Sequence, residues 1–150
     1  MRSKAFFING GAGRVICYIP ALEKYAENHD DFIIVAEGGM NFFKGHPVLH
    51  KHAYDFWHKG LFEDKLKMRD CVTPEPYRMW HYYNQKCSLG QAYDIAINDK
   101  GIRDLPRANL RLSKEEMLLA RKMISIVKLK KWKGKNFVLQ TICKSPQTRK

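Results

Sequence analysis

The chain has 150 residues, 45% hydrophobic and 12% aromatic, with a formal net charge of +12. That length buries one real core rather than two full domains, and the composition is that of a globular chain, not a disordered one. No run approaches the roughly 20 apolar residues that span a bilayer, and Lys4 to Ile8 is far too short for the apolar core of a signal peptide.

Lys4 to Asn9 reads as a buried strand that runs into a glycine turn, Gly10-Gly11-Ala12-Gly13. An apolar helix is expected from Val15 to Asn28, with Ile16, Ile19, Leu22 and Ala26 on one face. Pro20 falls inside it and should kink the helix or begin its regular part. Asp31 to Ala36 is a second buried strand, closed by Glu37-Gly38-Gly39. Strand, helix and strand within about 35 residues make one right-handed βαβ unit, the opening of an α/β domain.

A short helical start is expected at Met40 to Lys44, a helix from Pro47 to Trp57 and a short third strand at Leu61 to Lys67. Pro74 and Pro76 mark a loop, and Pro76 suits the first turn of a helix from Tyr77 to Lys86. Ser88 to Ile97 reads as helix or strand, and Asn98 to Gly101 as a turn. Ser113 and Glu116 have capping-box spacing before a helix that stops short of Gly134. Phe137 to Ile142 follows as a strand.

The charge is lopsided. Residues 1–100 carry 13 Lys/Arg against 12 Asp/Glu, whereas residues 101–150 carry 14 against 3. A basic stretch of this kind attracts anionic lipid head groups, nucleic acid or phosphorylated substrates, or simply forms a solvated helical face. Cys17, Cys71, Cys87 and Cys143 form no C-x-x-C pair, which argues for reduced thiols in a cytoplasmic protein. A peripheral position at the inner face of the membrane is compatible with the basic third.

The first strand-to-helix turn of such a domain usually faces the ligand. Gly10, Gly11, Gly13 and Arg14 are therefore the first candidates for substrate contact, with free backbone N–H groups expected around Arg14 to Cys17. Glu37 and Gly38 end the second strand, where an acidic residue can bind a ribose or sugar hydroxyl. Ile16 stands where a dinucleotide fingerprint needs its third glycine, so NAD binding is a weak reading and no cofactor is assigned. His46, His50, His52 and His58 lack a metal-ligand pattern, and no metal is assigned; His50 or His52 is a candidate for sugar contact or for a base by position only. Tyr77, Arg78, Trp80, His81, Tyr82 and Tyr83 form an aromatic-basic cluster able to stack on bases or sugars, although packing of Tyr77, Trp80 and Tyr83 on the sheet is favoured.

Three segments together, Gly10 to Leu22, Asp31 to Gly38 and Leu112 to Lys122, resemble the heptosyltransferase-like glycosyltransferases. The resemblance implies a Rossmann-like three-layer domain with a mostly parallel sheet, the N-terminal half of a GT-B fold. It divides the chain into an acceptor-side domain (1–112), a basic linker helix (113–135) and the first strand of a second domain (136–150). The Pro-Ala-Leu element of that family accounts for Pro20. The implied reaction moves a sugar from a nucleotide-sugar donor to a glycan or lipid-linked acceptor, with the donor held mainly by the second domain. Where the family commonly has a catalytic aspartate after the turn glycine, this chain has Arg14, which stays protonated and cannot be a general base. Arg14 suits a phosphate or carboxylate instead, and no catalytic base is assigned. The alternatives are a non-enzymatic nucleic-acid-binding protein and a small nucleotide-binding domain.

Overall fold

The computed structural model describes residues 3–129, and the expected strand at Phe137 to Ile142 lies outside them. The chain divides into two compact units, Met1–Glu115 and Glu116–Lys150. The first holds a four-stranded parallel sheet flanked by helices, a Rossmann-like α/β arrangement.

Strand β1 (Lys4–Asn9) leads into helix α1 (Ala12–Ala26), and β2 (Phe32–Glu37) returns parallel to β1 with Asn9 beside Glu37. Helix α2 (Asn41–Lys44) and a 3-10 turn at Leu49–Lys51 precede β3 (Ala53–Asp55), which pairs with β2. The chain then crosses back to place β4 (Asp70–Val72) on the other side of β1, giving the order β3-β2-β1-β4. Helices α3 (Trp80–Tyr83), α4 (Leu89–Asn98) and α5 (Lys114–Leu129) complete the described chain.

Burial explains this order. Phe32 to Ala36 are all buried, as expected of a central parallel strand covered on both faces. On one face Phe6, Ile8, Phe32, Ile34 and Ala36 pack with Val15, Ile19 and Leu22 of α1 and with Tyr93 and Ile97 of α4. On the other, Ala5, Ile33 and Val35 meet Leu61, with Phe7, Phe56 and Leu66 partly buried against them. Helix α4 lies close on α1, where Tyr18 and Tyr93 stack with ring centroids 3.7 Å apart.

Several expectations are corrected. Pro47 to Trp57 is not a helix, and Leu61 to Lys67 is not a strand. The first region holds the 3-10 turn and β3, while Leu61–Lys65 forms a π-helical turn over the second sheet face. A three-residue edge strand is too short to show an alternating pattern, which is why β3 and β4 are hidden in the sequence. Helix α1 begins at Ala12, three residues early, and continues through Pro20. Pro20 is buried there, and its missing N–H removes one bond without ending the helix. The expected helix from Tyr77 to Lys86 is divided into a 3-10 turn (Pro76–Arg78) and α3, with Met79 extended between them.

The ambiguous segment after Ser88 is helical. The Ser88 hydroxyl accepts from the Gln91 N–H, and the Gln91 side chain accepts from the Ser88 N–H. Asp94, 1% exposed on that helix, accepts two hydrogen bonds from Arg103 and one from Asn98, pinning the chain that follows α4.

Candidate functional site at the carboxyl edge of the sheet

In an open parallel sheet, a ligand crevice forms outside the carboxyl ends of the strands where the strand order reverses. Here that point lies between β1 and β4, since the chain leaves β1 toward β2 and β3 and returns to β4 on its other flank. Gly10, Gly11, Gly13 and Arg14 follow β1, while Glu37 and Gly38 end β2 in the adjacent position.

Gly10 has φ +110°, a conformation that a side chain rarely adopts. A Cβ on Gly10 would also stand 3.1 Å from Cδ of Arg14, so the glycine makes room for the arginine stem. A Cβ on Gly11 or Gly13 would meet nothing within 4 Å, which leaves open space at the start of α1. No side chain caps that helix, and its first turn carries no acidic residue. The free donors differ from those expected: the N–H groups of Arg14 and Val15 both donate to the Gly11 carbonyl. With the helix starting at Ala12, the unclaimed N–H groups are those of Ala12 and Gly13.

Arg14 folds back across this opening. Its Nη1 donates to the Asn9 side-chain oxygen at 2.6 Å and to the Asn9 carbonyl at 3.1 Å. Its Nε donates to the Tyr77 hydroxyl at 3.3 Å, and the guanidinium lies 4.7 Å from the centre of the Tyr77 ring. The hydrogen bond with Tyr77 raises the arginine pKa further, so the cation is permanent. Tyr77 comes from the loop after β4, and Arg14 from the helix after β1. The pair therefore spans the crevice.

Behind them the Tyr18 hydroxyl donates to the Pro74 carbonyl at 3.0 Å and holds the loop after β4 against α1. Tyr93 is fully buried, and burial pushes both the Tyr18 and Tyr93 phenols well above their ordinary range. Tyr77 and Tyr18 approach the Tyr93 hydroxyl closely enough to perturb its ionisation, yet no group meets hydrogen-bond geometry with it.

Glu37 lies beside this arrangement. It lines a pocket of about 190 Å³ with Phe7, Ile8, Asn9, Val35, Phe56 and Thr73. Asn9 joins the two parts, bonding Arg14 on one side and lining the Glu37 pocket on the other. The edge thus offers a fixed cation, free backbone N–H groups, a carboxylate and an amide. That set suits a molecule with one anionic group and several hydroxyls. Asn9, Tyr18 and Tyr93 were not among the residues singled out from the sequence, and Tyr77 was singled out only as part of the aromatic cluster, not as a partner of Arg14. Asn9 was recognisable as the last residue of the first strand; Tyr77 needed β4 to be located first.

The histidines are placed differently from their expected role. The Nδ1 of His46 accepts from the backbone N–H groups of Val48 and Leu49, which leaves Nε2 to donate to Glu23 at 2.9 Å. His52 is bonded to the Phe32 carbonyl and stacked on the Phe32 ring, at the opposite end of β2 from Glu37. His50 Nδ1 lies 2.7 Å from the His46 carbonyl. His50, exposed, and His52, buried, thus both lie at the turn before β3, away from the carboxyl edge. Among the described residues no group of three or more His, Cys, Asp and Glu is placed to hold a metal ion.

The aromatic cluster also differs. Tyr77, Trp80 and Tyr83 are 38%, 63% and 79% exposed, so they do not pack on the sheet as the helical spacing suggested. The break at Met79 turns this segment outward.

Among the described residues no helix is long and apolar enough to cross a membrane. Cys17, Cys71 and Cys87 are free thiols, and Cys143 lies outside the described residues. No protein-family model, curated protein or solved structure matches the chain. Fold and edge together define a Rossmann-like α/β domain with Asn9, Arg14 and Glu37 gathered at the carboxyl edge beside its strand-order reversal.

Proposed function

We propose that the chain is the acceptor-side half of a two-domain glycosyltransferase. Its sheet edge holds a sugar acceptor bearing a phosphate or carboxylate, and a second domain brings the nucleotide-sugar donor. One observation carries this reading: the Arg14 cation, held by Asn9 and Tyr77 beside the uncapped start of α1. An anionic group of the acceptor sits at Arg14 and the N–H groups of Ala12 and Gly13, where helix N-termini favour negative charge. Sugar hydroxyls reach Asn9 and Glu37. The order of the sequence segments that resemble the heptosyltransferase-like enzymes supports a glycan or lipid-linked acceptor. The basic residues after position 100 suit an acceptor at an anionic membrane surface.

Backbone amide shifts test this reading. Glucose 6-phosphate is expected to shift the Ala12, Gly13 and Arg14 resonances, and glucose alone is expected to shift them far less. Shifts confined to other parts of the chain, or equal shifts with glucose, contradict it.

A second reading, nucleic-acid binding, is favoured by the solvent-facing Trp80 and Tyr83. It requires affinity that falls steeply with salt, because counterion release dominates phosphate contacts. A small nucleotide-binding domain requires instead that uridine or adenosine nucleotides raise the melting temperature through the glycine turn.

A further inference from the structure

The segment after Met79 carries a local conflict between backbone and side chain. Helix α3 ends with Asn84 as its C-cap; the Gln85 N–H then donates to the Tyr82 carbonyl at 3.0 Å and the Lys86 N–H to the His81 carbonyl at 2.8 Å. This pair of bonds is the Schellman motif, whose left-handed position is usually glycine. Gln85 occupies it with φ 55°. A side chain there is strained, and such strain concentrates at functional sites.

Gln85 lines an open groove of about 380 Å³ with Tyr77, Tyr82, Tyr83 and Cys87. That volume lies within the roughly 300–1,000 Å³ of small-molecule sites. Tyr77 and Tyr82 meet edge to face, their ring centroids 5.6 Å apart. Tyr77 is also the ring under Arg14, so the groove and the carboxyl-edge site share this residue.

We propose that this groove is a saccharide subsite, binding a neutral pyranose unit of a ligand whose charged unit is held at Arg14. Tyrosine faces carry negative charge density that attracts the C–H groups of a pyranose ring. The phenol hydroxyls and the Gln85 amide donate to and accept from sugar hydroxyls. The five lining residues include no Lys, Arg, Asp or Glu, and burial pushes the Cys87 thiol above its ordinary pKa. A single-stranded nucleic acid needs cations along its groove as well as stacking platforms, so the uncharged lining favours the saccharide. The identity of the charged unit rests on the acceptor reading above, while the groove stands on its own geometry.

The test uses the full chain and three neutral probes, maltotetraose, cellotetraose and chitotetraose, observed by saturation-transfer NMR. At least one is expected to bind. Tyr83→Ala is expected to weaken that binding about fivefold or more; Tyr83 is 79% exposed, so its removal leaves the core intact. Gln85→Gly is expected to raise the melting temperature by roughly 3 °C while weakening the same probe. A residue with a merely structural role would change the melting temperature and leave binding alone. Tyr83→Ala also separates the two proposals, since it weakens the neutral tetrasaccharide and spares glucose 6-phosphate, whose Arg14 site Tyr83 does not line. Absence of Tyr83-dependent binding to all three probes overturns the subsite. Tyr83-dependent binding to an oligothymidylate in their place also overturns it, and makes the groove a nucleic-acid surface.

Discussion

Arg14 lies 4.7 Å from the centre of the Tyr77 ring, 63 residues away in sequence, and donates to its hydroxyl at 3.3 Å. The contact joins the first turn of α1 to the 3-10 turn after β4 at the reversal of strand order, and it fixes the direction of the cation. Removing the ring by Tyr77→Ala takes away one of the two supports of the guanidinium and leaves the bonds to Asn9. Affinity for glucose 6-phosphate is expected to fall about threefold, the scale of an exposed cation–aromatic contact. Calorimetric titration of the variant measures this directly.

The two buried tyrosines make opposite predictions. Tyr18→Phe removes the donor to the Pro74 carbonyl and is expected to cost about 1 kcal/mol. Tyr93→Phe removes a buried hydroxyl that has no hydrogen-bond partner, so the change is expected to be neutral or stabilising. Urea unfolding of both variants decides it, and equal losses would contradict the assignment.

Two glycines of the edge are expected to respond differently to alanine. A Cβ at Gly39 would lie 2.8 Å from Cγ2 of Val15, at φ +68°. Gly39→Ala should therefore destabilise the fold by about 2 kcal/mol, by steric displacement and backbone strain together. At Gly11 the backbone is extended and the space is open, so Gly11→Ala should stay within about 0.5 kcal/mol of the parent. Thermal melts of the two variants compare them.

His52 gives the fold a dependence on pH. Burial lowers its pKa below the ordinary 6.5, because the charged ring is disfavoured beside Phe32. The unfolded chain then binds the proton more readily than the folded one. Its contribution is fully present above pH 6.5 and is lost as the pH falls toward the depressed folded value. The urea midpoint should fall between pH 7 and pH 5, with a smaller fall in His52→Asn, which retains a donor for the Phe32 carbonyl. Identical slopes would remove His52 from the account.

The sequence made β1, β2 and their glycine turns legible because five consecutive buried residues and a positive-φ turn leave local marks. Asp70 to Val72 leaves none: Asp70 and Cys71 are exposed on an edge strand whose place is set by pairing with Lys4 to Phe6. Without that strand, the Arg14–Tyr77 contact cannot be anticipated. The helical character of α4 was readable only as one of two options, since Ser88 to Ile97 fits helix or strand. It is the Ser88–Gln91 capping box of the structure that decides for helix. The outward turn of Trp80 and Tyr83 was not readable, because helical spacing carries no sign of the break at Met79.

The central claim is that Arg14 receives the anionic group of a sugar ligand. Calorimetric titration of glucose 6-phosphate and inorganic phosphate into the parent chain and Arg14→Ala tests it most directly. The account predicts that both anions bind the parent and that the variant loses about tenfold or more in affinity, the scale of a hydrogen bond to a charged group. Equal affinity in the two proteins, or no binding to either, would contradict it.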